Sequence, residues 1–160
     1  MSEGVLHSIN VSNGGVPKIA RDACVVRPTG LQGDRQGDLR YHGGPARAVS
    51  LFSLDLMRAL QSEGHPIEPG SIGENLTVGG VAWTSLAPGS IVEVGEVFLE
   101  ITSYAHPCQK IAGAFLDRDV ARVSQKVHPG WSRLYARVVK EGSIRVGDPV
   151  RLGPTRDGLS

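Results

Sequence analysis

Turns come too often in this chain to leave room for long helices. Asn13-Gly14-Gly15, Pro69-Gly70, Pro88-Gly89, Pro129-Gly130 and Glu141-Gly142 punctuate it, and the stretches between are short and apolar. Glycine supplies positive φ, while proline fixes φ and removes a backbone donor, so the two together end regular elements. With 21 Gly and 10 Pro, the pattern predicts many short strands and argues against a helical bundle. Short strands leave exposed edges, and a sheet that closes on itself removes them. The expected fold is mainly β (α+β), a closed or nearly closed barrel with a few peripheral helices.

Alternation places the first strands at 5–11 and 18–27, paired across the turn at 13–15. A long polar loop follows over 30–41, then a buried strand at 48–52. Ser53 is a suitable N-cap, and Leu54, Met57 and Leu60 follow helical spacing until Gly64. A turn region at 65–73 leads into a strand at 74–78. Residues 91–94 and 97–103 read as a hairpin that runs into a helical pattern at Ile111, Ala112 and Phe115. Two helical patches broken near Asp117 fill 111–127. A second hairpin joins 134–139 to 144–146, and 150–152 is a closing strand. The length suits a single domain over 1–153, with a frayed tail at 154–160.

A net charge of +1 and a pI near 7.9 give no strong field, so neither a nucleic-acid footprint nor a membrane-binding basic patch is expected. A small-molecule substrate fits better. Cys24 and Cys108 are too far apart for a CxxC site or a disulfide framework, and free thiols suit a reducing compartment. The first residues have no basic and apolar leader pattern, and no run approaches the roughly 18 apolar residues of a spanning helix. The expected location is cytoplasmic.

Chemistry concentrates on ITSYAHPCQKIAGAF, residues 101–115. Cys108 falls at the junction of a strand and a helical turn, with His106 and Lys110 two residues to either side, a setting suited to a thiolate ligand or nucleophile. The alternative is a small buried hydrophobe. Zinc with His42 or His128 lacks a second ligand pair at the usual spacing, and a Cys-His hydrolase lacks an oxyanion motif. His42-Gly43-Gly44 sets a titratable ring beside two glycines whose N–H groups can approach an anion, with Arg47 near enough to clamp it; a plain glycine turn is the other reading. Asn75 can donate to and accept from a heterocycle, and Glu74 can orient a base or an arginine. Asp34 and Asp38 stand in the polar loop as a carboxylate pair without fixed separation.

Taken in order, GDRQGD (33–38), YHGGPARAV (41–49), PGSIGENLTV (69–78) and SYAHPCQK (103–110) resemble the MOSC family, named for the C-terminal domain of molybdenum-cofactor sulfurases. The resemblance implies a mixed β-barrel of the MOSC type. It also implies a role for the motif cysteine, which in the family binds molybdenum in cofactor-bearing reductases or is proposed to carry sulfur as a persulfide. Carried to this chain, Cys108 becomes the catalytic residue and metal ligand. His42, Gly43, Gly44, Arg47, Asn75, Lys110, Asp34 and Arg35 become the residues expected to hold the molybdenum-pterin cofactor. The implied activity is an oxidoreductase that reduces N-hydroxylated compounds, with electrons from a separate reductase because the chain has no Cys cluster for an iron–sulfur centre. The alternative is a sulfur carrier or cofactor-handling domain, charged by a cysteine desulfurase and without redox turnover. A third reading, outside the resemblance, is a barrel binding another phosphorylated ligand through the turn at 42–47.

Overall fold

The computed structural model describes residues 3–12, 14, 16–34 and 45–153. Eleven strands and one α-helix are found among them: β1 (Gly4–Val11), β2 (Ile19–Arg21), β3 (Ala23–Arg27), β4 (Gly30–Leu31), β5 (Val49–Ser53), α1 (Leu54–Ser62), β6 (Leu76–Gly79), β7 (Ile91–Val94), β8 (Val97–Tyr104), β9 (Leu134–Lys140), β10 (Gly142–Arg145) and β11 (Pro149–Leu152). Seven strands, in the order β1-β11-β7-β8-β9-β5-β6 and back to β1, close into a mixed barrel, as the turn density predicts. One neighbouring pair, β5 with β6, is parallel, and the others in the ring are antiparallel. The parallel pair needs a crossover, and α1 with the loop after it supplies one.

Inward side chains fill the barrel: Leu6 and Ile9 from β1, Leu51 from β5, Leu76 and Val78 from β6, Leu99 and Ile101 from β8, and Leu134 and Ala136 from β9. All five residues of β5 are buried because the strand has cover on both faces. Its outward Phe52 joins Met57 and Leu60 of α1, and Ile67, Ile72, Ile111, Phe115 and Val123, in a second core. The Ser53 hydroxyl accepts from the N–H of Leu56 at 3.1 Å and caps α1. Burial of Leu54, Met57 and Leu60 stabilises the docked helix by roughly 2 kcal/mol per side chain.

Three expectations are corrected. The strand read over 18–27 breaks at Asp22. β2 pairs with the end of β1, whereas β3 leaves the barrel and pairs with β4 and β10 in a separate three-stranded sheet. For the same reason β9 and β10 are consecutive without forming a hairpin, since β9 is already paired on both edges, with β5 and β8. The helical pattern after Cys108 becomes a 3-10 segment, Gln109–Ala114, and not an α-helix. The break near Asp117 is present, and both Asp117 and Arg118 have positive φ.

Candidate functional site

The chemistry gathers on the outer face of the barrel wall. Ser50 of β5 and Tyr135 of β9 stand opposite each other there, on the face away from the inward Leu51 and Leu134, and the segments that follow β8 and precede β5, β6 and β9 pass over them. Beyond β8, the N–H of Ala105 donates to the carbonyl of Arg133 at 3.0 Å, and the Ser132 hydroxyl donates to the carbonyl of Ala105 at 3.2 Å. This stitching carries the chain past His106 and Pro107 to a half-buried Cys108 in extended backbone (φ −136, ψ 167). Cys108 lines a pocket with Lys18, Asp34, Arg47, Ser50, Asn75, Lys110, Arg133 and Tyr135.

Each basic group reaches this pocket by its own route. Arg47 ends a 3-10 turn, Pro45–Arg47, that the Thr102 hydroxyl holds to the barrel by donating to the carbonyl of Ala46. Its guanidinium stands 5.4 Å from the centre of the Tyr135 ring. Lys18 precedes β2, and its ammonium lies 2.6 Å from Asp34 Oδ1 with both side chains nearly out of water. Lys110 follows Cys108 in the 3-10 segment and is exposed. Arg133, just before β9, is 6% exposed. Its Nη1 donates to the carbonyl of Ile72 and its Nη2 to that of His106, both at 3.0 Å, and its Nε has no partner. Among the described residues no carboxylate lies within ion-pair distance of Arg133. Burial draws its guanidinium below the ordinary value, against the pull of Tyr135, Cys108 and Glu74. Burial also pushes the Tyr135 hydroxyl up, which Arg133 and Arg47 oppose. Four basic side chains therefore face one carboxylate, Asp34, in the lining.

The polar residues between them brace the wall. Asn75 uses its whole amide: Nδ2 donates to the carbonyl of Asn10 (3.2 Å) and to Asp34 Oδ2 (2.9 Å), and Oδ1 accepts from the N–H and hydroxyl of Ser50 (3.0 and 3.2 Å). Asp34 is likewise committed, since Oδ1 also accepts from the N–H of Ser12 at 2.9 Å. Behind Asn75, Glu74 is completely buried, with Oε1 accepting from the N–H of Gly70 (3.2 Å) and Oε2 from the Thr77 hydroxyl (2.9 Å). Burial raises its carboxyl to about 7, against hydrogen bonds and the more distant Arg133.

The pocket thus brings together five of the residues singled out in the sequence: Cys108, Arg47, Asn75, Lys110 and Asp34. Arg35, His42, Gly43 and Gly44 lie outside the described residues. Lys18, Ser50, Arg133 and Tyr135 were not singled out. The segment Ser132–Arg137 alternates, and Arg133 and Tyr135 share the face opposite Leu134 and Ala136, so a strand-face reading would have paired them. Cys24 belongs to a different cavity, beside Arg21, Glu96 and Arg145. Its thiol meets the carbonyl of Gln32 at 3.2 Å, and burial raises its pKa. Among the described residues no three His, Cys, Asp or Glu side chains converge as a metal cluster. No helix among them is long and apolar enough to cross a membrane.

The arrangement defines a class: a closed mixed β-barrel with a half-exposed cysteine in a cationic pocket against its outer wall. A family model for the MOSC domain matches residues 38–151, and the chain belongs to that family. It is 27% identical over 143 residues to the uncharacterised protein YflK of Bacillus subtilis, which covers 89% of this chain and 64% of that one. Protein YiiM of Escherichia coli is 29% identical over 128 residues, covering 77% of this chain and 56% of YiiM. The chain thus spans less than two thirds of the length of either relative. Among solved structures, YiiM from Geobacillus stearothermophilus superposes with a TM-score of 0.73 at 22% identity, over 94% of this chain and 75% of that one. The YUAD protein of Bacillus subtilis gives 0.71 at 18% identity, over 94% and 97%. These likenesses establish the fold.

Proposed function

We propose that the pocket holds a molybdenum-pterin cofactor with Cys108 as the protein's ligand to the metal, and that the protein is an oxidoreductase acting on N-hydroxylated compounds. The observation that carries this reading is the buried guanidinium of Arg133, with its unpartnered Nε, lining the same pocket as the Cys108 thiol. A soft sulfur donor suits a metal that other sulfur ligands already hold, and uncompensated cations suit a phosphate-bearing pterin. The donor set therefore fits the group: one thiol, no competing cluster of hard ligands among the described residues, and a surplus of positive charge.

When bound, the cofactor supplies the two-electron chemistry that removes oxygen from an N-hydroxylated substrate. Cys108 anchors it from a backbone held in place by the Arg133 and Ser132 contacts. Arg47 and Lys110, at the rim, attract and orient anionic groups. Asn75 and Asp34 hold the wall that carries Lys18, because their own polar atoms are already engaged. Electrons come from a separate reductase partner.

Protein purified from a host that makes the cofactor should carry molybdenum and pterin, and Cys108→Ser should lose most of the molybdenum. Absence of both from the wild type overturns the proposal. The half-exposure of Cys108 favours one second reading, a sulfur carrier. Incubation with a cysteine desulfurase and its cysteine substrate would then add about 32 Da, one sulfur, at Cys108 and not at Cys24.

A further inference from the structure

Two buried charges near the pocket lack direct partners. Arg133 has no carboxylate within ion-pair distance, and Glu74 has no cation within that distance, among the described residues. One short turn lies between them. Arg133 Nη1 holds the carbonyl of Ile72, and Glu74 Oε1 holds the N–H of Gly70, four residues earlier in sequence than Glu74 itself. Among the described residues Arg133 is the one charged side chain that acts on Glu74, and Glu74 in turn acts on Arg133. A carboxylate and a guanidinium that share a low-dielectric interior interact at distances where water would screen them.

We propose that Glu74 and Arg133 form a divided charge pair that makes oxyanion capture in the Cys108 pocket proton-linked. With Glu74 ionised, part of the Arg133 charge is balanced from behind the pocket wall. With Glu74 protonated, Arg133 is unbalanced, and an oxyanion in the pocket supplies the missing negative charge. Proton uptake and anion binding therefore reinforce each other, and by reciprocity a bound anion makes Glu74 easier to protonate. The groups packed around Glu74 do not compete for this role. Thr77, Gly70 and Asn10 are uncharged, and the Lys18–Asp34 pair is internally balanced on the far side of Asn75. Arg47 and Lys110 also line the pocket, and the exposed His106 ring stands two residues before Cys108, so a control must separate its effect from that of Glu74.

The inference rests on the pocket being an oxyanion site, and not on metal ligation by Cys108. Sulfate is a suitable probe because its own charge stays fixed in this range. Calorimetric titration of wild-type protein should show sulfate binding about fivefold tighter at about pH 5.5 than at about pH 8.5, a typical size for coupling between two sites. Glu74→Gln should bind sulfate equally well at both pH values. A pH dependence that survives in Glu74→Gln assigns the effect to His106 or another group and overturns the coupling, with the pocket reading intact. No sulfate binding at any pH overturns both. Should Glu74→Gln fail to fold, carboxyl-carbon NMR of the wild type decides the matter. The Glu74 midpoint should rise when sulfate saturates the protein, and a midpoint that stays put overturns the proposal.

Discussion

Glu74 is the residue whose environment is most at odds with its chemistry. It is fully out of water, yet each of its side-chain oxygens accepts from a donor as a carboxylate would. Burial dominates, and the group titrates near 7 in the fold against an ordinary 4.5. Between those values the native protein keeps a proton that the unfolded chain has already lost. Unfolding then releases a proton, so stability falls as pH rises through this window and levels off above about 7. The full effect is on the order of 3 kcal/mol, from about 1.4 kcal/mol per unit. Urea unfolding of wild type should therefore show a stability loss between about pH 5 and pH 8 that Glu74→Gln lacks. Parallel profiles for the two proteins would mean that Glu74 titrates normally.

At the scale of elements, the site depends on loops held in unusual backbone, and the connection from α1 to β6 matters most. Gly70 has φ +84, donates to Glu74 and accepts from the N–H of Lys18 at 2.9 Å. A Cβ there would stand 2.5 Å from the carbonyl oxygen of Lys18. Gly70→Ala therefore combines a disfavoured φ with a clash, and should cost roughly 2 kcal/mol or more in thermal or urea unfolding. It should also displace Lys18, so sulfate affinity should fall with stability; a variant as stable as wild type would show that the turn can relax. Elements of this kind mark the limit of what the sequence discloses. The barrel was legible because strand alternation and turns are local, and α1 because Ser53, Asp55 and the apolar spacing agree. The departure of β3 and β10 into their own sheet was not, since alternation records a buried face but not which neighbour lies alongside. Cys108, Arg47 and Lys110 stood out by residue type and motif. Arg133 and Tyr135 did not, because an arginine at the start of an apolar strand looks solvated until the loops that carry Ile72 and His106 close over it.

For the whole molecule, closure and the cysteine pocket sit at opposite ends of β1. The barrel seam is narrow: β1 meets β11 only at Gly4↔Val150 and Val5↔Pro149, extended by the N–H of Leu6 to the carbonyl of Asp148 at 2.9 Å and the N–H of Gly147 to the carbonyl of Leu6 at 2.8 Å. By contrast, β8 and β9 pair at six positions. A Cβ on Gly4 would run into the carbonyl oxygen of Gly79 and lie 2.7 Å from Val81 Cγ2, so this position admits nothing larger than glycine without moving β6. Asn10, which braces Asn75 and the pocket wall, is near the other end of the same strand, about 20 Å away at an extended rise of 3.3 Å per residue. Gly4→Ala should therefore destabilise the protein by roughly 1 to 3 kcal/mol, the usual cost of overpacking. Its local effect should be faster hydrogen exchange in β11 and the first half of β1 than in β5 and β9, while the rate at which iodoacetamide labels Cys108 under native conditions stays that of the wild type. Acceleration spread evenly over all seven barrel strands would show that the seam has no local opening of its own and that the barrel opens only as a unit.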